Sequence, residues 1–487
     1  MADLIHLIHK AVWGPWLLVV FLGTGIYLTI CSGGFQIRGI RTWMGQTAGS
    51  LVKSLTSGSH KTSQLRTACT ALAATVGTGN IVGVATALAA GGPGAVFWMW
   101  VSAFIGMMTA YGETWLGITY RRRKEKRTEE GNAENGTAAE TEEKWICGPM
   151  VTLKYGANCP AAAGAYALLC VLASLGMGSM VQANSLAETA EFTWNMPRIW
   201  CAVILTGAAG MVIRGGIGRI GLAAEKLIPW SAGIYLGASA LVLACCWRQI
   251  PRVLLEIAVD ACSPASAGIS IAGGAAGWGM KTAVQYGIAR GVFSNEAGLG
   301  SLAILHGSAE NTTPEEQGMW AMFEVFFDTI VVCTVTALVI LCAAAEKGFP
   351  IQDGASLAVR SFSEFLGTGG EYAVALSMML FAFATIIAWY YMGKQAADYL
   401  FAKKGGGMAE TVYDILYLGA VFMGCMAKVN AVWELSDIWN GLMALPNIGA
   451  ILLLANRIRY PGPLGNKIKM PLDSFQEDPY TYHSKRE

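Results

Sequence analysis

The stretch Thr75-Val76-Gly77-Thr78-Gly79-Asn80-Ile81-Val82-Gly83 cuts into an apolar run, and Gly287-Ile288-Ala289-Arg290-Gly291-Val292-Phe293-Ser294-Asn295-Glu296-Ala297-Gly298-Leu299-Gly300 does the same far downstream. Both lie within segments long enough to cross a bilayer, where freed backbone N–H and C=O groups are tolerated only if buried in protein or facing a wet cavity. Glycine in a membrane helix more often serves close helix packing, and either stretch taken singly reads that way. Their matched positions in two halves of the chain, together with the polar Thr78, Asn80, Ser294 and Asn295, favour a binding site. Glycine-interrupted segments at corresponding places point to an inverted-repeat carrier whose site lies at the breaks.

Composition sets the frame around them. The 487 residues are 54% hydrophobic and 14% charged, with mean hydropathy +0.45. A soluble surface of ordinary charge content does not look like this. The net charge of +1 favours neither nucleic acid nor an acidic partner. The twelve cysteines are scattered, with Cys245 and Cys246 adjacent, and read as small packing residues rather than a metal or disulfide framework. Residues 1–10 lack the dense positive charge of a secretory leader, so the first apolar run reads as a retained helix.

Eleven candidate spans lie at roughly 13–31, 68–90, 94–119, 161–187, 199–213, 227–246, 270–306, 319–343, 373–393, 411–427 and 433–456. The expected fold is an all-α polytopic membrane protein. Setting the first span aside leaves ten, and each half of five begins with a broken helix. The divisions are 1–60 (an extra span and an amphipathic cytoplasmic segment), 61–246 and 247–457 (two five-helix repeats), and 458–487 (a tail). Arg121 to Lys144 reads as a charged flexible loop. An odd span count puts the termini on opposite sides. Placing the C-terminus in the cytoplasm assigns 25 Lys/Arg to that side, including Arg38, Arg41, Arg121, Arg122, Arg123, Arg214, Lys403 and Lys404, against 7 on the other. The N-terminus is therefore expected outside, in a plasma-membrane protein.

Ionisable residues inside spans are functional candidates because of their cost there: Glu113, Glu324, Asp328, Arg290 and Glu296. Arg290 and Glu296 flank the second break near its expected cytoplasmic end and read either as a gate or as a static pair. His306 is a lone histidine with a structural reading. No nucleophile with a base, no H-E-x-x-H and no carboxylate pair appears in the spans, so the chain does not read as an enzyme, and no organic cofactor is implied.

The same two stretches, with Val84-Ala85-Thr86-Ala87, Gly178-Ser179-Met180-Val181-Gln182-Ala183-Asn184-Ser185 and Gly441-Leu442-Met443-Ala444-Leu445-Pro446-Asn447, resemble the alanine or glycine:cation symporter family over about residues 10 to 457. That resemblance implies a leucine-transporter-like core of five plus five helices after one extra helix. It also implies sodium as the coupling ion, alanine or glycine as substrate, and the bilayer as the remaining partner.

An amino acid zwitterion needs backbone donors, acceptors and an apolar wall. Free amides at Gly77-Thr78-Gly79, at the positive end of the following half-helix, suit its carboxylate. Asn80 adds an amide for ligand or ion, or serves as an interhelical bond. Carbonyls freed around Ala73 and Val76 are hard donors suited to sodium, with the Thr385 hydroxyl completing the set. The family segment carries two adjacent threonines where this chain has Ala384-Thr385. The resemblance places Phe293 and Trp389 as bulky walls admitting alanine and excluding leucine. Gln182 either touches ligand or braces the break, the latter ranked first. Leu175 stands for an expected aromatic and Ala110 for an expected lysine, so roles of those family residues do not transfer. Two rivals remain: proton coupling through Glu113 or Asp328, and a passive channel.

Overall fold

A computed structural model describes residues 2–51, 62–123, 145–262, 279–351, 355–401, 406–427 and 429–461. Helices occupy nearly all of them, because a segment with no water to bond to must satisfy its backbone internally. Six are long and apolar enough to cross a membrane: Leu4–Cys31, Gly94–Tyr120, Pro160–Trp194, Gly216–Cys245, Pro314–Lys347 and Ser356–Phe401. A seventh candidate is a bent pair, Arg66–Thr75 with Thr78–Gly91, turned by 53°. Helix is also present at the other expected places, as Arg198–Ile213, Met280–Asn295 followed by Ser301–His306, Gly406–Met426 and Val429–Leu453.

The seventh expected span is described only from Gly279 onward. Most of the charged segment, at 124–144, and the tail beyond 461 also lie outside the described residues. A two-residue ladder, Arg122–Arg123 with Trp145–Ile146, flanks that charged segment. Several further helices lie outside the expected spans, two of them longer than ten residues. Ala2–Val12 precedes the first span. Ile250–Cys262 packs along Gly94–Tyr120, where Asp260 Oδ2 accepts the Gly94 N–H at 2.8 Å and the Ala261 carbonyl accepts the Trp98 indole N–H at 3.1 Å.

The two interrupted helices lie head to tail in the interior. Thr62–Thr75 packs on Ser301–His306, while Val82–Gly91 packs on Met280–Asn295, and Gly94–Tyr120 crosses both. Some glycines of the second stretch serve this packing. A Cβ at Gly287 would lie 2.4 Å from the Ala95 carbonyl oxygen, and one at Gly291 would lie 2.4 Å from Ser102 Oγ. There the packing reading of glycine holds.

Two helices widen into π turns beside this centre, at Ser174–Val181 just before Gln182 and at Phe326–Cys333 around Asp328. Such widenings re-aim side chains and frequently occur at functional sites.

Candidate functional site

At the first break, helical bonding continues through Val76, whose N–H reaches the Leu72 carbonyl at 2.8 Å. Gly77 is then extended, Thr78–Asn80 makes one 3₁₀ turn, and the helix resumes at Val82. Side chains satisfy the amides this leaves free. Asn80 Oδ1 accepts the Gly77 N–H at 2.9 Å. Gln182 Oε1 accepts the Thr78 N–H at 3.2 Å and the Thr78 hydroxyl at 2.9 Å. Gln182 thus braces the break in this structure. The Thr385 hydroxyl lies 2.8 Å from the Ala73 carbonyl oxygen and 3.0 Å from that of Phe381. A Cβ at Gly77 would lie 2.6 Å from that same hydroxyl oxygen, so the close approach needs glycine.

The second break is built differently. Glu296, Gly298 and Gly300 all have positive φ, at 58°, 90° and 82°. Left-handed backbone is easy for glycine and uncommon for glutamate. A single carboxylate oxygen holds the turn, since Glu113 Oε2 accepts the N–H groups of Gly298 and Gly300, each at 3.1 Å, and the Asn447 side-chain amide at 2.7 Å. Asn447 also donates to the Gly298 carbonyl at 2.9 Å, and the Tyr166 hydroxyl donates to the Leu299 carbonyl at 3.0 Å.

Asp328 joins the two breaks. The Asn80 side-chain amide donates to its Oδ1 at 2.6 Å and the Ser294 hydroxyl donates to its Oδ2 at 2.8 Å, with Thr329 at 2.9 Å. Among the described residues, Glu113, Glu296 and Asp328 are buried with no Lys or Arg ion-pair partner. Hydrogen bonds offset part of the cost of placing these groups away from water.

The walls are aromatic. Trp389 is fully buried one turn beyond Thr385, and its indole N–H donates to Glu296 Oε1 at 2.9 Å. Phe293 stacks on Trp433 with ring centres 5.1 Å apart. Arg290 and Glu296 do not pair in this structure. Arg290 instead binds Asp437, with Nη2 to Oδ2 at 2.6 Å, and its guanidinium lies 5.3 Å from both the Phe293 and Trp433 rings. The left-handed turn sends the Glu296 side chain toward Trp389 and Ser301.

His306 is not alone either. Its ring nitrogens lie 2.6 Å from Gln317 Oε1 and 3.1 Å from Glu324 Oε2, a buried cluster at the end of the short helix that follows the second break. Leu175 and Ala384 line neighbouring helix turns, with Ala384 buried beside Thr385.

Sequence reading thus named Gly77, Thr78, Gly79, Asn80, Gln182, Thr385, Trp389 and Phe293, and the chain brings them together around the two breaks. The roles of Asn447, Tyr166 and Asp437 as supports were missed. Asn447 stood at the end of a recognised motif, and its polarity within an apolar run was the available signal. All the named side chains are shut away from solvent, with Thr78 and Asn80 at 0% exposure.

Comparison with known proteins completes the assignment. The sodium/alanine symporter AgcS of Methanococcus maripaludis is 38% identical over 464 residues, covering 93% of this chain and 94% of that one. An uncharacterized transporter of Haemophilus influenzae is 37% identical over 452 residues, covering 92% and 93%. A probable sodium/glutamine symporter, GlnT of Bacillus subtilis, is 32% identical over 460 residues, covering 93% and 88%. The model of the sodium:alanine symporter family matches residues 1–460. With two broken helices in a multi-pass membrane protein, and with this match along the chain, the protein belongs to the sodium:alanine symporter family, a transporter of amino acids with a cation and not an enzyme.

Proposed function

We propose that the chain carries a small neutral amino acid, alanine or glycine, into the cytoplasm together with sodium by alternating access. The observation that carries this reading is the first break. Its Gly77 and Thr78 amides are held only by the neutral side chains of Asn80 and Gln182, which an incoming carboxylate can replace without displacing a charge. The Thr385 hydroxyl already stands at the Ala73 carbonyl, so Ala73, Val76 and Thr385 supply hard oxygens for sodium.

Phe293 and Trp389 close the space around the ligand side chain, which supports a small substrate. The head-to-tail packing of the two interrupted helices supports the eleven-span layout with a five-plus-five repeat at 61–246 and 247–457. The lysine and arginine distribution supports a plasma-membrane protein with its N-terminus outside and its C-terminus in the cytoplasm. Sodium and substrate stabilise the outward-facing arrangement, the side chains around the breaks close over both, and the bundle rocks to release them inside.

Proton coupling is the second reading. It rests on Asp328, a buried carboxylate touching both breaks through Asn80 and Ser294. Uptake of radiolabelled alanine into proteoliposomes decides between them. A sodium gradient is expected to drive accumulation at constant pH. Equal uptake with and without sodium removes sodium coupling, and accumulation driven by a pH gradient alone selects proton coupling.

A further inference from the structure

Glu296 combines a left-handed backbone conformation with a fully buried side chain. It is 0% exposed at φ 58°, beside two glycines that take the same region freely. Non-glycine residues held this way concentrate at functional positions. Its two oxygens are both engaged: Oε1 accepts the Trp389 indole N–H at 2.9 Å and Oε2 accepts the Ser301 hydroxyl at 2.5 Å.

Trp389 is pinned on its other side as well. Gly178 lies against it so closely that a Cβ there would sit 2.4 Å from Trp389 Cβ. The ring therefore has a fixed base at Gly178 and a fixed tip at Glu296. Thr385, one turn earlier on the same helical face, stands at the first break. The indole thus reaches the turn that forms the second break from a helix whose preceding turn stands at the first.

We infer that Glu296 is a specificity-positioning residue: by holding the Trp389 indole against the second break it sets the width of the substrate pocket and restricts the cargo to small side chains. This deepens the proposed function and rests on its assignment of Trp389 as a pocket wall. A carboxylate that merely satisfied its own burial could take any donor. Here the donor is the one polar atom of the wall ring, and Ser301 fixes the second oxygen so that the first cannot rotate away.

The test uses the full-length protein in proteoliposomes under a sodium gradient, measuring radiolabelled L-alanine uptake and its inhibition by L-glutamine. Glu296→Ala is expected to raise the KM for alanine while turnover is retained, and to lower the alanine-over-glutamine preference by about tenfold, the scale of a pocket-size change. Trp389→Phe, which removes the indole N–H, is expected to lower it similarly, and the double variant to add nothing further. Glu296→Gln keeps an acceptor for the indole and is expected to keep the wild-type preference.

An unchanged preference in Glu296→Ala, beside a shifted one in Trp389→Leu, overturns the positioning role and leaves the pocket assignment intact. An unchanged preference in Trp389→Leu as well overturns the pocket wall itself and the inference with it. A fall in turnover with the preference intact marks a structural role and also overturns it. If Glu296→Ala shows no uptake, Ser301→Ala decides. A lowered preference there supports the inference, and the wild-type preference overturns it.

Discussion

The two breaks meet the same physical demand by opposite means. At the first, free amides are capped by side-chain oxygens of Asn80 and Gln182, both uncharged. At the second, the amides of Gly298 and Gly300 are capped by the Glu113 carboxylate, reinforced by Asn447. An internal carboxyl group already occupies the second turn. The caps at the second turn come from a carboxyl group, those at the first break from side-chain amides. In the proposed function the first break is the receptor and the second a fixed turn, although both began as the same glycine pattern.

Removing that carboxyl group breaks this contrast most severely. Glu113→Ala leaves two buried amides unpaired, at about 1–3 kcal/mol each. The expected result is a loss of about 3 kcal/mol, a clearly lower thermal midpoint in detergent, and alanine uptake reduced about 100-fold. Glu113→Gln, which keeps an acceptor oxygen, is expected to recover most of the stability. Uptake and stability near wild type in Glu113→Ala would show that the second turn holds itself.

The next effect separates two glycines within the first break. A Cβ at Gly77 meets Thr385 Oγ1 at 2.6 Å and Gln182 Oε1 at 3.2 Å, whereas one at Gly79 meets Phe293 and Ser294 at 3.5 Å, ordinary contact. Overpacking of the first kind costs about 1–3 kcal/mol. Gly77→Ala is therefore expected to weaken apparent sodium affinity about tenfold or more, because it presses on the hydroxyl beside Ala73. Gly79→Ala is expected to fold normally and raise only the KM for alanine, by a few-fold. Sodium and alanine titrations of uptake check both, and identical behaviour of the two variants would erase the division of the break into cation and ligand sides.

The smallest change sharpens the cation side alone. Thr385→Val keeps the shape and deletes one hydroxyl, a loss of about 1 kcal/mol. Half-saturating sodium is expected to rise about fivefold, with Thr385→Ser restoring it. An unchanged sodium dependence would leave Thr385 as a helix-packing hydroxyl.

Much of this was legible in the chain because hydrocarbon is an unforgiving solvent. Apolar runs of membrane length, and glycine with polar residues inside them, can be read locally, so the class of protein and the places of both breaks follow from residues 75–83 and 287–300 without any contact information. The small-residue reading was right for Gly287 and Gly291 and incomplete for Gly298 and Gly300, whose left-handed backbone no periodicity reveals.

What only the tertiary structure decided is who satisfies whom. Arg290 stands six positions from Glu296, but a left-handed turn aims that glutamate at Trp389, and the arginine finds Asp437, 147 positions away. Glu113 was visible as a costly charge, yet its purpose depends on two amides 185 and 187 positions downstream. The sequence by itself determined that backbone groups would be freed and where. Their partners come from distant helices, and in a medium without water those partners, rather than the breaks themselves, determine how each opening is closed.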